Sequence, residues 1–167
     1  MSDLSYSNIQ ILGSDSDAVR LAIDVCDIGS SKLLARADSR WISVYPFLTE
    51  DDFSYLKLTA DKLSNRLETT AIGFYSPDGV HLQFAISQRG CIIDEYKPDS
   101  ESPPGTTPDI ALLLQVCLRG TKSSDLKRLF ASGSTDNLAS QLAKYLGIPR
   151  ANLCTGYNHL KWAQAGR

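Results

Sequence analysis

A chain of 167 residues has the size of one ordinary domain and can bury a core without disulfide or metal staples. Its 43% hydrophobic and 22% charged residues exclude a disordered polypeptide. Apolar runs such as Ile110–Leu114 fall far short of the roughly 20 residues that span a bilayer, and MSDLSYSNIQ has neither the basic nor the apolar region of a secretory signal.

The net charge of −2 conceals an asymmetry. Residues 1–118 carry 9 Lys/Arg against 17 Asp/Glu, and residues 119–167 carry 8 against 2. The favoured expectation is that the basic third complements the acidic body within one fold. A nucleic-acid face is the alternative.

Tyr6–Leu12 alternates loosely and reads as a strand. Asp15–Asp27 sets Val19, Ala22, Ile23 and Cys26 at helical spacing, with Ser14 or Asp15 as cap and Gly29 as stop. Lys32–Ala37 and Trp41–Tyr45 read as strands. In the second, Trp41, Ser43 and Tyr45 share one face, which is assigned to the core and not to an exposed aromatic patch. A helix follows over Thr49–Leu67. Thr49 and Asp52 form a capping-box pattern, Glu50, Asp51 and Asp52 suit the helix dipole, and Phe53, Leu56, Ala60, Leu63 and Leu67 form one apolar stripe.

Ala71–Tyr75, Val80–Ile86 and Cys91–Tyr96 are separated by Pro77-Asp78-Gly79 and Gln88-Arg89-Gly90. Two tight turns make these strands an antiparallel meander over 71–96. Residues 98–106, with three prolines and a glycine, form a loop. Beyond it, Thr107 and Pro108 open a helix running through Leu118 to Gly120. Ser123 or Ser124 opens a second, ending at Gly133, and Ser134 or Thr135 a third, through Leu146 to Gly147 and Pro149. Gly156–Arg167 is read as a short terminal helix carrying Leu160 and Trp162.

Several residues invite a chemical reading. Ala139–Gly156 matches a degenerate helix-turn-helix, in which Arg150 and Asn152 would contact nucleic acid. Gly156 breaks the would-be recognition helix, so nucleic acid is not the favoured partner. His81 near Asp94 and Glu95 suggests acid–base chemistry, but alternation puts the two acids on opposite faces, and strand-end acids are the favoured reading. His159 has no identifiable partner. Gly13-Ser14-Asp15-Ser16 lacks the second glycine and the lysine of a phosphate loop and reads as a helix cap. Cys26, Cys91, Cys117 and Cys154 are spaced too widely for a zinc clip and read as reduced, buried hydrophobes, which fits a cytoplasmic home. No metal or cofactor is expected.

Arg40-Trp41-Ile42-Ser43-Val44-Tyr45, the acid-capped helix after it, and Leu82…Gly90…Asp94-Glu95-Tyr96 resemble a set of uncharacterised bacterial α+β proteins with a W-x-x-V-Y strand and a G-x-x-x-D-x-Y strand. Leu146-Gly147-Ile148 followed by Tyr157…Leu160 also fits, so the resemblance covers most of the chain. It departs at Pro46-Phe47-Leu48, and it implies no activity or catalytic residues.

The expectation is a single α+β domain over 1–167: a strand-and-helix part (1–97), a loop (98–106) and a helical part (107–167). The expected function is non-enzymatic binding of another protein, immunity-like or regulatory. The rivals are a DNA-binding regulator using 139–156 and a small-molecule hydrolase. No membrane association is expected.

Overall fold

The computed structural model of the chain describes residues 5–49, 51–98, 107–132, 137–158 and 160. Six strands form one antiparallel sheet: β1 (Tyr6–Leu12), β2 (Ser31–Ala35), β3 (Trp41–Pro46), β4 (Thr70–Ser76), β5 (Gln83–Gln88) and β6 (Cys91–Tyr96), in the order β2-β3-β1-β4-β5-β6. Strand β1 is central, with Ile9 opposite Val44 of β3 on one side and Gly73 of β4 on the other.

Alternation along each strand divides the core in two. Ile9, Ile11, Ile42, Val44, Ala71 and Ala85 pack with α1 (Ser16–Val25) and α2 (Phe53–Arg66). Tyr6, Trp41, Ile72, Phe74, Phe84 and Ile86 pack with the C-terminal helices α3 (Ile110–Val116), α4 (Ser123–Ala131) and α5 (Leu138–Leu146). A last single turn, α6 (Arg150–Leu153), adds Leu153 to this second core. The fold is therefore α+β with the sheet sandwiched between two helical layers. The meander over 71–96 is present, and Leu56, Leu63, Leu82, Phe84 and Ile86 are all buried.

The expected helix starts shift where a nearby polar group has another partner. Thr49 does not cap α2. Its hydroxyl donates to the Pro46 carbonyl (3.1 Å) and meets the Ser7 hydroxyl (3.0 Å), within a 3-10 turn over Phe47–Thr49. Asp52 caps instead, accepting from the Tyr55 amide. Likewise Asp109, not Thr107, accepts from the Ala111 and Leu112 amides at α3. At α4 the capping position is Lys122, which makes no side-chain capping bond. Helix α1 stops at Val25, before Gly29, because Asp27 already takes a positive φ of 51°. Strand β5 begins at Gln83, after Val80, because Asp78 accepts from the Val80 and His81 amides and holds them in the turn.

Two glycines are required by position. Arg89 and Gly90, at φ of 49° and 80°, make the tight β5–β6 turn, and a Cβ on Gly90 would lie 2.9 Å from Asn65. Gly147 ends α5 in the left-handed conformation, where a Cβ would lie 2.8 Å from Leu118. Glu50, Gly133, Ser134, Thr135, His159, Trp162 and most of the expected loop and terminal helix lie outside the described residues.

Leu63 of α2 is fully buried against the sheet. Leu63→Ala removes that packing and leaves a cavity, so it should lower unfolding free energy by about 2–5 kcal/mol in a urea titration. A loss below about half a kcal/mol would mean that the α2 stripe is not packed as described.

Candidate functional site

The C-terminal layer is held to the sheet by hydrogen bonds as well as by apolar packing. Helices end in carbonyls that lack an intrahelical partner, and here sheet side chains supply the donors. The Trp41 indole donates to the Leu146 carbonyl at the end of α5 (2.7 Å). The Arg40 guanidinium donates to the Val116 carbonyl at the end of α3 and to Leu146 (3.4 Å). The Tyr45 hydroxyl donates to the Asn152 carbonyl (2.9 Å), and the Asn8 amide to Leu153 (2.7 Å) and Thr155 (3.0 Å). Between them runs a buried chain: Asn152 donates to Ser43, Ser43 to Gln10, and Gln10 to Asn8.

This arrangement separates the two residues expected on a recognition helix. Arg150 is exposed, but Asn152 is buried, with its amide on Ser43. Helix α6 is four residues long. Leu142, Ala143, Leu146, Ile148 and Leu153, the positions that suggest the motif, are buried in the core formed with the sheet.

The acid–base candidates are also apart. Asp94 accepts from the Asp109 and Glu95 amides. Glu95 pairs with Lys57 (2.9 Å) and Lys97 (3.0 Å). Desolvation raises the Glu95 pKa, but hydrogen bonds from the two lysines outweigh it and hold the carboxyl below its ordinary range. The His81 partner is Asp78, three residues earlier, whose carboxylate meets ring Nδ1. The sequence signal for that pair is an Asp in the Pro77-Asp78-Gly79 turn with His at the third position beyond it. Both side chains are a little under half exposed, and Asp78 also organises the turn. At Gly13–Ser16, Asp15 accepts from the Asp17 and Ala18 amides, so this segment caps α1.

Only Cys117 of the four thiols is fully buried. Cys26 and Cys154 are half-buried and Cys91 is exposed, which corrects the expectation that all four are core hydrophobes. Burial pushes the Cys117 thiol up to about 11. Burial also raises Cys154, against the opposing pull of Arg150. Tyr6 is held far above its ordinary range, chiefly by burial and then by Cys154. Thiols shifted upward are poor nucleophiles. Among the described residues no group of three or more His, Cys, Asp and Glu can hold a metal, and no helix is long and apolar enough to cross a membrane.

The outer faces differ in charge. The described residues of 13–29 and 47–69, which form the α1–α2 layer, carry eight carboxylates against four cations. The described residues of 107–160 carry two against six. Lys122, Lys127, Arg128 and Lys144 are exposed. No ion pair between described residues joins residues 107–160 to residues 1–97, and Arg128 pairs with Asp125 of its own helix. The expected complementation of the acidic body thus has no direct contact among the described residues.

The α1–α2 layer is also apolar on its outside. Leu21 (57% exposed) and Val25 (56%) stand one turn apart on the outer side of α1, opposite the buried Val19, Ala22 and Ile23. Leu58 (57%) lies on the outer side of α2. Phe47 and Leu48 are exposed in the 3-10 turn. Phe47 packs edge-on against Tyr157, over which Lys32 lies. Comparisons of the chain with family models, with curated proteins and with solved structures found no match.

Desolvation raises the Asp78 pKa, but the His81 amide and ring and the Val80 amide together outweigh it and lower it to about 2, from 3.8. A depressed carboxyl contributes stability that is fully present above the unfolded-state value, about 4, and is lost as pH falls through the folded-state value. The excess stability of the wild type over Asp78→Asn, read from urea midpoints, should hold at about pH 6 and vanish toward about pH 2. An unchanged difference across that range would show that the charge of Asp78 does not hold this turn.

Proposed function

We propose that this chain is a non-enzymatic protein-interaction domain and that it meets its partner through the outer face of the α1–α2 layer. The observation that supports this reading is the double-sided character of α1. Its inner positions fill the core, while Leu21 and Val25 are left in water. A helix that needs one apolar face for its own fold keeps the opposite face polar. Apolar side chains clustered on the outer side, rimmed by charge, are what a protein contact requires. Five of the eight large hydrophobic residues exposed among the described ones lie in this layer. Asp17 and Asp24 flank Leu21 on the same side of α1.

The hydrolase alternative has less support. The His81–Asp78 pair has no serine, cysteine or threonine hydrogen-bonded to the imidazole among the described residues, and a nucleophile within such reach is the usual mark of covalent catalysis. The resemblance to uncharacterised bacterial α+β proteins and the reduced cysteines suit a cytoplasmic bacterial protein, and neither brings an activity. An immunity-like or regulatory role is compatible with this surface.

The test is site-specific crosslinking in cells. A photo-reactive benzoyl-phenylalanine replacing Leu21 or Leu58 should form one discrete protein adduct. The same group replacing Asp38, exposed in the β2–β3 turn, should form none. Leu21→Ser with Val25→Ser should shift unfolding free energy by no more than about 0.5 kcal/mol per site, because both residues are exposed. No adduct from positions 21 and 58, or turnover of an ester or phosphate substrate that His81→Ala abolishes, would overturn the reading.

A further inference from the structure

We propose that the α1–α2 face is occupied by the C-terminal layer of a second copy of this chain, so that copies stack head to tail. The inference rests on the interaction reading above and names the partner. Its basis is charge complementarity between two faces on opposite sides of the sheet, which within one molecule meet only at its edge, where Phe47 packs on Tyr157. The sheet lies between them. Each step from one layer to the next is about 10 Å, so the two helical layers lie roughly 20 Å apart, about two and a half Debye lengths at physiological salt. Attraction between them is therefore largely screened inside one copy, and both faces are open at once. Between copies the same charges come into contact.

The apolar groups match as well. The acidic face presents Leu21 and Val25 with Asp17 and Asp24 beside them. The basic face presents Leu118, which is 45% exposed. Its amide donates to the Tyr145 carbonyl (2.7 Å) and its side chain lies against Gly147. Arg119 is adjacent in the chain and Lys144 is in the last turn of α5. Each face is thus an apolar anchor with charge beside it: net acidic on α1, where exposed Arg20 stands among Asp17 and Asp24, and basic around Leu118.

Symmetry then fixes the mode. A two-fold dimer would place acidic face on acidic face or basic on basic, which like-charge repulsion opposes. Acidic face on basic face is heterologous and leaves one face of each type open at the ends, so it propagates. Nucleic acid is the competing occupant of the basic face, but Asn152 is committed to Ser43 and α6 offers only one turn.

Two variants, each blocked on one face, test the proposal: Leu21→Ser with Asp24→Ser, and Leu118→Ser with Lys144→Ser. All four residues are exposed, and unchanged melting curves confirm that folding is intact. Sedimentation velocity is run from micromolar to millimolar protein, in low and high salt. Wild-type protein should grow beyond dimer with concentration at low salt and return toward monomer at high salt. Each variant alone should remain monomeric. Their equimolar mixture should stop at a one-to-one dimer, because each supplies the face that the other lacks.

A wild type that stays monomeric at millimolar concentration and low salt would overturn the inference. So would variants that associate like the wild type, or a mixture that stays monomeric. Mixed-sequence duplex DNA is titrated in parallel. Salt-sensitive binding weakened by Lys144→Ser, with no self-association, would give the basic face to a polyanion and overturn the proposal. Failure here together with a Leu21 crosslink to a different protein would leave the interaction reading standing.

Discussion

The carbonyls at the ends of α3, α5 and α6 are the constraint on which the rest of the molecule depends. They are buried under the C-terminal layer, and a buried carbonyl without a donor costs about 1–3 kcal/mol. Strand β3 and the residue before it answer most of them. Trp41 and Tyr45 sit at the start and near the end of this six-residue strand, Arg40 immediately precedes it, and the three reach carbonyls on three helices. Asn8 on β1 completes the set at Leu153 and Thr155. These are directional bonds, whereas the leucines around them can pack in more than one register. They fix where the C-terminal helices lie on the sheet, and hence which of their residues face outward.

That fixation gives the molecule its electrical polarity. The helical layers on opposite sides of the sheet show opposite signs to solvent because both are locked to the same six strands. The same locking turns Asn152 inward and leaves Arg150 outside. It aligns Leu118 with the end of α5 through the Tyr145 carbonyl and Gly147. On the other layer, the outer surface of α1 is free of such demands, and Leu21 and Val25 stand exposed there.

Local pattern carried most of the fold. The stripe Phe53, Leu56, Ala60, Leu63 located α2, the turns at Pro77–Gly79 and Gln88–Gly90 defined the meander, and Gly147 closed α5, because each depends on neighbours a few residues away. What stayed illegible was non-local. Thr49 looks like a cap until Ser7, 42 residues earlier in the chain, engages it. Asn152 looks like a base-reading residue until Ser43, 109 residues earlier, accepts from it. The outward Leu21 and Val25 were hidden by the inward Val19, Ala22 and Ile23. One apolar stripe is enough to account for α1 as a core helix, so the pattern gives no signal for a second. Asp78 and His81 are legible as a pair only by their spacing across the Pro77–Gly79 turn.

Native-state hydrogen exchange tests most directly whether the C-terminal layer and the sheet are one hydrogen-bonded unit. The Trp41 indole proton, bonded to the Leu146 carbonyl, and the α5 amides should exchange with the same free energy as the amides of β1 and β4, through global unfolding alone. An indole proton that exchanges freely, or α5 amides that open well below the free energy of β1, would mean that the layer detaches by itself. The two charged faces would then not be held in the fixed opposition described.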